Sequence, residues 1–148
     1  MAGKAESKAR ALTAVQAALA AEHAAVYGYG VVGGKIGEDR RTEARAAYDA
    51  HRARRDELAR TVRDLRGMPK PAAAAYALPF PVTDAESAVR LAAELEDRVA
   101  GVYSDLVRAA EGDRRRSAAG APARWSPRTV GATAGARSCR GSAVVPAR

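Results

Sequence analysis

The sequence predicts an all-α protein in which three long amphipathic helices pack as an antiparallel bundle. Three stretches of the 148-residue chain repeat apolar residues at alternating spacings of three and four, the spacing of one buried helical face. Aromatic residues make up only 5% of the chain and alanine is abundant. Because alanine loses no side-chain entropy in a helix, this composition favours helices. At this length the chain has room for one hydrophobic core.

The first helix is predicted from about Ala9 to Val32. Its buried face holds one carboxylate, Glu22, among apolar side chains. Those apolar positions are Leu12, Val15, Leu19, Val26 and Tyr29. We expect the helix to end at Gly33-Gly34, because glycine accepts the positive φ with which many helices end. A short turn over residues 35–41 should follow.

The second helix is predicted from a stripe that ends shortly before Gly67 and two prolines, at positions 69 and 71. The stripe consists of Ala44, Tyr48, His51, Arg55, Leu58, Val62 and Leu65. His51 and Arg55 therefore occupy positions on the buried face. Because the turn between the first two helices is short, they should be antiparallel neighbours.

A proline-rich segment, residues 67–82, separates the second and third helices. It cannot be helical throughout, because proline lacks the amide donor and restricts the residue before it. The apolar side chains Tyr76, Leu78 and Phe80 lie in this segment. They indicate that the segment packs across the bundle, since a structureless connection of this length is unusual.

The third helix is predicted to begin at a capping box, Thr83 to Glu86, in which the first and last side chains each bond a free backbone amide. It should run to about Glu111. Its buried stripe is Ala88, Ala92, Leu95, Val99, Val102 and Leu106. Glu96 and Tyr103 lie at the edge of that stripe, each one residue after one of its members.

Composition divides the chain at residue 112 into a helical-bundle domain, 1–112, and a basic tail, 113–148. The first part holds 17 Lys and Arg against 16 Asp and Glu, whereas the tail holds eight Arg against the single Asp113. The tail contains no Leu, Ile, Met or Phe, so it lacks the apolar stripe of a fourth helix and is expected to be largely disordered. The fourth helix of a bundle is therefore missing or degraded.

The predicted compartment is the cytoplasm. The only cysteine is Cys139, which excludes an internal disulfide and a Cys-based zinc site. No stretch approaches the roughly 20 apolar residues that span a bilayer, and the N-terminus lacks the apolar region of a secretion signal. We therefore expect no association with a membrane.

Three segments of the chain are distinctive: residues 20–32, 50–56 and 76–84, the last of which contains Leu-Pro-Phe-Pro-Val-Thr-Asp. Together they resemble a ferritin-like domain-of-unknown-function family of actinobacteria. The resemblance covers most of residues 10–112 and implies a compact ferritin-like four-helix bundle with no assigned activity. The chain departs from that family after about Ala119, where similar proteins continue into a fourth helix.

Glu22, His51 and Glu96, one from each predicted helix, are candidate metal ligands, and iron or manganese would be the cofactor. Di-iron and di-manganese bundles use one Glu from each of two helices and Glu-x-x-His from each of the other two. This chain offers part of that pattern, because Tyr48 stands three residues before His51. Alternatively, the carboxylates, the imidazole and Arg55 satisfy one another and fix the register of the bundle.

These observations favour an uncharacterised ferritin-like bundle with a structural or interaction role. One alternative is a metal-dependent oxidoreductase that uses Glu22, His51 and Glu96. Another is nucleic-acid binding by the Arg-rich tail through phosphate contacts, although no specific nucleic-acid partner is expected. Without a fourth helix the apolar seam would be uncovered, which predicts a homo-oligomer.

Known catalytic signatures are missing from the sequence, which contains no P-loop, no nucleophile elbow and no Cys-His pair. The spacing Gly28-x-Gly30-x-x-Gly33 matches a dinucleotide fingerprint by letter. It lies at the end of a predicted helix with no strand before it, so that interpretation is rejected.

Overall fold

The computed structural model describes residues 2–109, which form three α-helices and no strand. Helix α1 spans Ala2–Lys35, α2 spans Arg41–Asp64 and α3 spans Ala85–Ala109, with a 3-10 turn at Glu38–Arg40. The all-α class is confirmed. The predicted basic tail, the end of the third helix near residue 111 and any fourth helix lie outside the described residues. Within residues 2–109, none of the helices combines the length and apolarity needed to cross a bilayer.

Helix α1 is the central element of the described bundle. It packs along both α2 and α3, whereas the backbones of α2 and α3 scarcely approach each other. Tyr29 contacts Glu96 and Glu22 contacts Tyr103, so residue numbers rise along α1 as they fall along α3. Likewise Glu22 contacts His51 in the middle of α2, and Leu12 lies beside Gly67 just after its end. Helices α2 and α3 are therefore both antiparallel to α1 and parallel to each other.

The predicted end of α1 at Gly33-Gly34 is wrong, because the helix continues through both glycines to Lys35. The amide of Ile36 still donates to the carbonyl of Val32 at 2.8 Å. Val32 and Ile36 are both buried. Burying these two side chains favours one more helical turn, which outweighs the poor helix propensity of glycine.

Helix α2 ends as predicted just before Gly67, in a Schellman motif. The amide of Gly67 donates to Val62 O at 2.9 Å and that of Arg66 donates to Arg63 O at 2.8 Å. Arg66, and not the glycine, takes the left-handed conformation, with φ of 62°. Gly67 is needed for a close approach instead, because a Cβ there would lie 2.6 Å from Cδ1 of Leu12.

The connection between α2 and α3 packs against α1, as the sequence predicts. The amide of Lys70 donates to Gln16 Oε1 at 3.1 Å, and His23 Nε2 donates to the Lys70 carbonyl at 3.0 Å. Further along, the ring of Tyr76 lies 5.5 Å from that of Tyr27. The segment thus runs back along α1, which lets α3 start at the same end of the bundle as α2.

The capping box of α3 is shifted by one residue from the predicted Thr83 and Glu86. Asp84 Oδ1 accepts the amide of Ser87 at 2.8 Å, and Ser87 Oγ accepts the amide of Asp84 at 3.1 Å. The hydrogen bonds from Ser87 lower the pKa of Asp84. An aspartate is at least as good an N-cap as a threonine, and Ser87 is buried where it can complete the pair.

Two apolar layers make up the core, one at each end of the bundle. The leucine layer comprises Val15, Ala18, Leu19, Ala25, Leu58, Val62, Leu65, Val99, Tyr103 and Leu106. The alanine layer comprises Tyr29, Val32, Ile36, Ala44, Ala47, Ala88, Leu91, Ala92 and Leu95. Leu12, Val26 and Val102, predicted as core, are only partly buried, because a 3.6-residue helix drifts away from a strict seven-residue stripe.

Candidate functional site

Glu22, His51 and Glu96, the three polar residues predicted on the buried faces, meet between the two apolar layers. Each comes from the middle of a different helix. Their exposed fractions are 0%, 1% and 3%, so all three are withdrawn from water. Buried ionisable groups are tolerated only when they are paired, and the geometry shows how they are paired.

His51 lies between the two carboxylates and donates to both. Its Nδ1 donates to Oε2 of Glu22 at 2.6 Å, and its Nε2 donates to Oε1 of Glu96 at 3.0 Å. A ring that donates from both nitrogens is an imidazolium. His51 of α2 therefore donates one hydrogen bond to α1 and one to α3.

Two tyrosines complete the cluster in a crossed arrangement. Tyr103 of α3 donates its hydroxyl to Oε1 of Glu22 at 2.8 Å, and Tyr29 of α1 donates to Oε1 of Glu96 at 2.7 Å. The ring of Tyr29 also stacks on His51, with centroids 5.1 Å apart. We call these five residues the polar cluster. Its contacts close a network across all three helices.

The sequence contains a signal for the two tyrosines that was missed. Each stands seven residues after a glutamate of its own helix, Tyr29 after Glu22 and Tyr103 after Glu96. A separation of seven places two side chains on the same helical face two turns apart. Because α1 and α3 are antiparallel, each tyrosine reaches the glutamate of the opposite helix. The pair of Glu-x6-Tyr motifs is thus related by a pseudo-twofold axis.

The cluster is arranged to keep a proton on His51. Burial by itself lowers the pKa of His51, but hydrogen bonds to Glu22 and Glu96, and then their negative charges, raise it from 6.5 to about 9. For Tyr29 and Tyr103, burial and the adjacent glutamates raise the pKa well above the usual value of 10. At neutral pH both phenols therefore stay protonated and act as donors.

Arg55, which the alternative to a metal site included as a partner of the glutamates, contacts neither Glu22 nor Glu96. Its guanidinium instead lies 2.8 Å from Oδ1 of Asp56 at the partly exposed edge of α2. The long arginine side chain reaches water from its position, which costs less than burying a second cation. One atom of the cluster, Oε2 of Glu96, is buried without a hydrogen-bond partner among the described residues.

No group of three or more His, Cys, Asp or Glu side chains within residues 2–109 is arranged to hold a metal ion. A metal ligand needs a free lone pair on the imidazole, whereas both nitrogens of His51 donate to carboxylates. Tyr48, which stands where the di-metal pattern has glutamate, is partly exposed, and the guanidiniums of Arg45 and Arg52 each lie 5.7 Å from its ring.

An apolar groove of about 450 Å³ lies between α1, α3 and the connecting segment. It is lined mainly by alanine and aliphatic side chains and contacts none of the five cluster residues. A solute in this groove therefore has no direct contact with His51 or with either glutamate.

Comparison with known proteins agrees with this architecture. A family model described as a domain of unknown function, DUF4439, matches residues 14–136. The crystal structure of a conserved hypothetical protein, rv2844, from Mycobacterium tuberculosis is similar, with a TM-score of 0.74 and 34% sequence identity. The similarity covers 76% of this chain and 86% of that one. No curated protein matches the chain.

Proposed function

The chain belongs to the DUF4439 family, a domain of unknown function, and on that premise we propose that it is a ferritin-like bundle with a structural or interaction role. The observation that carries this proposal is that buried His51 lies within hydrogen-bond distance of two buried glutamates, at 2.6 Å from Glu22 and 3.0 Å from Glu96. In this proposal the imidazolium takes the central position that a metal ion occupies in carboxylate-bridged bundles. The polar cluster then links three helices and does not bind a substrate.

The topology supports the ferritin-like part of the proposal. Ferritin-like bundles have one long crossover connection between their second and third helices. Here residues 65–84 run back along α1 and join two parallel helices. Glu22, His51 and Glu96 also sit on successive helices at one level, as the acidic and histidine ligands do in the metal-binding members of that class.

A metal-binding oxidoreductase of the di-iron or di-manganese type is the competing function. The unpartnered Oε2 of Glu96 supports it, because a buried carboxylate oxygen without a donor is a ligand position. Binding would require His51 to release a proton and turn a nitrogen lone pair to the ion. Glu22, His51 and Glu96 would then be the ligands from the described residues.

Metal content separates the two functions. The full chain is purified, passed over a chelating resin and analysed for iron, manganese and zinc, with His51→Gln treated in parallel. The structural role predicts a folded, metal-free protein whose thermal midpoint is the same with added Mn²⁺ or with EDTA. Retention of one or two metal ions per chain, lost in His51→Gln, would overturn it and favour the metal-binding alternative.

Self-association is part of the proposed interaction role. Helices α2 and α3 share the polar cluster, yet their backbones scarcely approach each other, and no further helix covers that seam within residues 2–109. A helix from a second copy could pack there and bury the seam. Sedimentation velocity should therefore show a dimer or larger species, and a folded protein that stays monomeric at all concentrations contradicts this part.

A further inference from the structure

The C-terminal end of α1 holds four glycines in the seven residues from Gly28 to Gly34, and packing explains only the first. A Cβ at Gly28 would lie 2.5 Å from Cδ1 of Leu95, so this glycine permits close helix packing. A Cβ at Gly30 or Gly33 would meet nothing within 4 Å. From Ala9 to Val26 the helix contains many alanines and no glycine, and alanine is the better helix former.

Gly30 and Gly33 form one wall of a cavity of about 350 Å³, which we call the glycine cavity. The first turns of α2 supply the opposite wall through Arg41, Arg45 and Tyr48, and Tyr29 also contributes to the lining. Its volume lies in the range of sites that hold small molecules. One wall is the backbone of the two glycines, and the opposite wall includes the Tyr48 ring. A planar ligand can therefore approach the α1 backbone more closely here than beside an alanine.

Two positive side chains give the glycine cavity its charge. The guanidinium of Arg41 lies 3.3 Å from Glu38, and that of Arg45 lies 3.2 Å from Asp49. All four side chains are more than half exposed, so these ion pairs are weak and exchangeable. Arg41 and Ala44 also belong to the first turn of α2, where the helix dipole is positive. An anion is therefore the favoured occupant.

The same charge argues against occupation by this chain's own C-terminal segment. Residues 113–148 hold eight arginines and one acidic residue. Such a segment is repelled by Arg41 and Arg45. The occupant should therefore be a separate molecule that is negative at one end and apolar over the rest.

We propose that the glycine cavity binds a small aromatic anion. Its phosphate or carboxylate group would be bound by Arg41 and Arg45, since guanidinium groups bind such anions through paired hydrogen bonds. Its ring would lie between the bare backbone at Gly30 and Gly33 and the ring of Tyr48. This site lies outside the hydrogen-bonded centre of the polar cluster, so the proposal does not depend on the structural role proposed above.

Phenyl phosphate is a suitable probe, and amide chemical shifts of the ¹⁵N-labelled full chain report where it binds. We expect saturable shifts at the amides of Gly30, Gly33 and Ala44. Arg45→Gln should weaken binding about tenfold, because it removes a charge-assisted hydrogen bond. Gly33→Leu should abolish the shifts by filling the cavity. Inorganic phosphate and benzyl alcohol, which each lack one half of the probe, should bind more weakly than phenyl phosphate.

Two matched controls separate this site from general charge attraction. Arg98 of α3 is exposed and paired with Glu94, and Gly101 of α3 is an exposed helical glycine with open space beside it. Arg98→Gln and Gly101→Leu should leave the affinity unchanged. The proposal is overturned if phenyl phosphate gives no saturable shifts, if Arg98→Gln weakens binding as much as Arg45→Gln, or if inorganic phosphate binds as tightly as the probe. Should Gly33→Leu fail to fold, Arg45→Gln and the probe series still decide the outcome.

Discussion

The polar cluster and the leucine layer are equally buried, but they hold the helices together in different ways. Leu19 and Glu22 lie about one turn apart on α1, and both are fully withdrawn from solvent. Leu19 packs among aliphatic side chains, where contacts depend on volume and have no preferred direction. Glu22 makes two hydrogen bonds to two other helices. The leucine layer supplies stability, whereas the polar cluster restricts the helices to one register.

This difference arises because a hydrogen bond is lost when its atoms move apart by an ångström or so, while an apolar contact is exchanged for another. Sliding α3 by one turn would keep leucine near leucine. The same slide would separate Tyr103 from Glu22 and His51 from Glu96, leaving buried charges without partners. Such unpaired charges are among the most costly defects in a core.

The largest expected effect comes from removing one charge of the polar cluster. Glu22→Leu should lower the free energy of unfolding by about 4 kcal/mol, because it leaves the His51 imidazolium with one partner and the Tyr103 hydroxyl with none. Urea unfolding followed by circular dichroism measures this loss. A change below about 1 kcal/mol would show that the pairing contributes little.

The matched control replaces all five cluster side chains by apolar ones, with leucine for Glu22, His51 and Glu96 and phenylalanine for the two tyrosines. We expect stability near or above that of the wild type, since buried ion pairs seldom outperform well-packed apolar groups. We also expect broadened or doubled amide resonances, because several registers become accessible. Sharp, single resonances would contradict the proposed register role.

The next largest effect concerns pH. The pKa of His51 is about 9 in the folded chain and 6.5 in the reference state, so the native state keeps a proton that the unfolded chain has lost between these values. The resulting stabilisation is complete below about pH 6 and is lost as the pH rises through about 9. At about 1.4 kcal/mol per pKa unit, the rise from 6.5 to about 9 corresponds to a loss of between about 3 and 4 kcal/mol.

Unfolding free energies measured from about pH 6 to about pH 9 test this prediction, in a range where unfolded tyrosines stay mostly protonated. His51→Gln should remove most of the change of unfolding free energy with pH, which we call the slope, because glutamine does not titrate. The leucine layer contains no group that titrates in this range, so Leu19→Ala should lower stability without changing the slope. An unchanged slope in His51→Gln would assign the pH dependence to other groups.

A smaller effect is expected for one hydroxyl. Tyr103→Phe should cost about 2 kcal/mol, because Oε1 of Glu22 loses its donor in a site without water access. Tyr27→Phe is the control, since the ring of Tyr27 packs against Tyr76 at the partly exposed side of α1. That variant should change the unfolding free energy by less than about 0.5 kcal/mol in the same urea titration. Equal losses of unfolding free energy in the two variants would show that the Tyr103 hydroxyl contributes no more than that of Tyr27.

The smallest effect concerns the backbone next to the alanine layer. Gly28→Ala should be destabilising by about 1 to 2 kcal/mol, because the added Cβ overlaps Leu95. Gly101→Ala, at an exposed position of α3 with open space, should stabilise the protein by up to about 1 kcal/mol through helix propensity. Thermal unfolding of the two variants should therefore shift in opposite directions.

Much of the fold could be predicted because helical periodicity is a local property of the sequence. The stripes through Leu19, Leu58 and Leu95 placed three helices whose existence and order are confirmed. The end of α1 and the capping box of α3 were predicted at the wrong residues, because tertiary packing decided between neighbouring positions. Burial of Ile36 carried α1 past Gly33-Gly34, and burial of Ser87 moved the capping box to Asp84.

The candidate site was predicted in part. Glu22, His51 and Glu96 were singled out because charged side chains on apolar stripes need partners, and the structure brings them together. The partner expected for them, Arg55, lies at the edge of α2, because a stripe position does not say how far a long side chain extends. Tyr29 and Tyr103 were predicted on or beside the buried stripes but not as donors to the glutamates, although the repeated Glu-x6-Tyr spacing was present.

The sequence by itself determined the class of the protein, the number and order of helices within residues 2–109 and the faces they bury, since each depends on spacing along one helix. Only the tertiary structure decided which oxygen faces which donor, that His51 lies between two glutamates and that Gly30 and Gly33 face open space. Those features depend on the distances between helices. Distances between helices follow from the packing of the whole core, which no local pattern specifies.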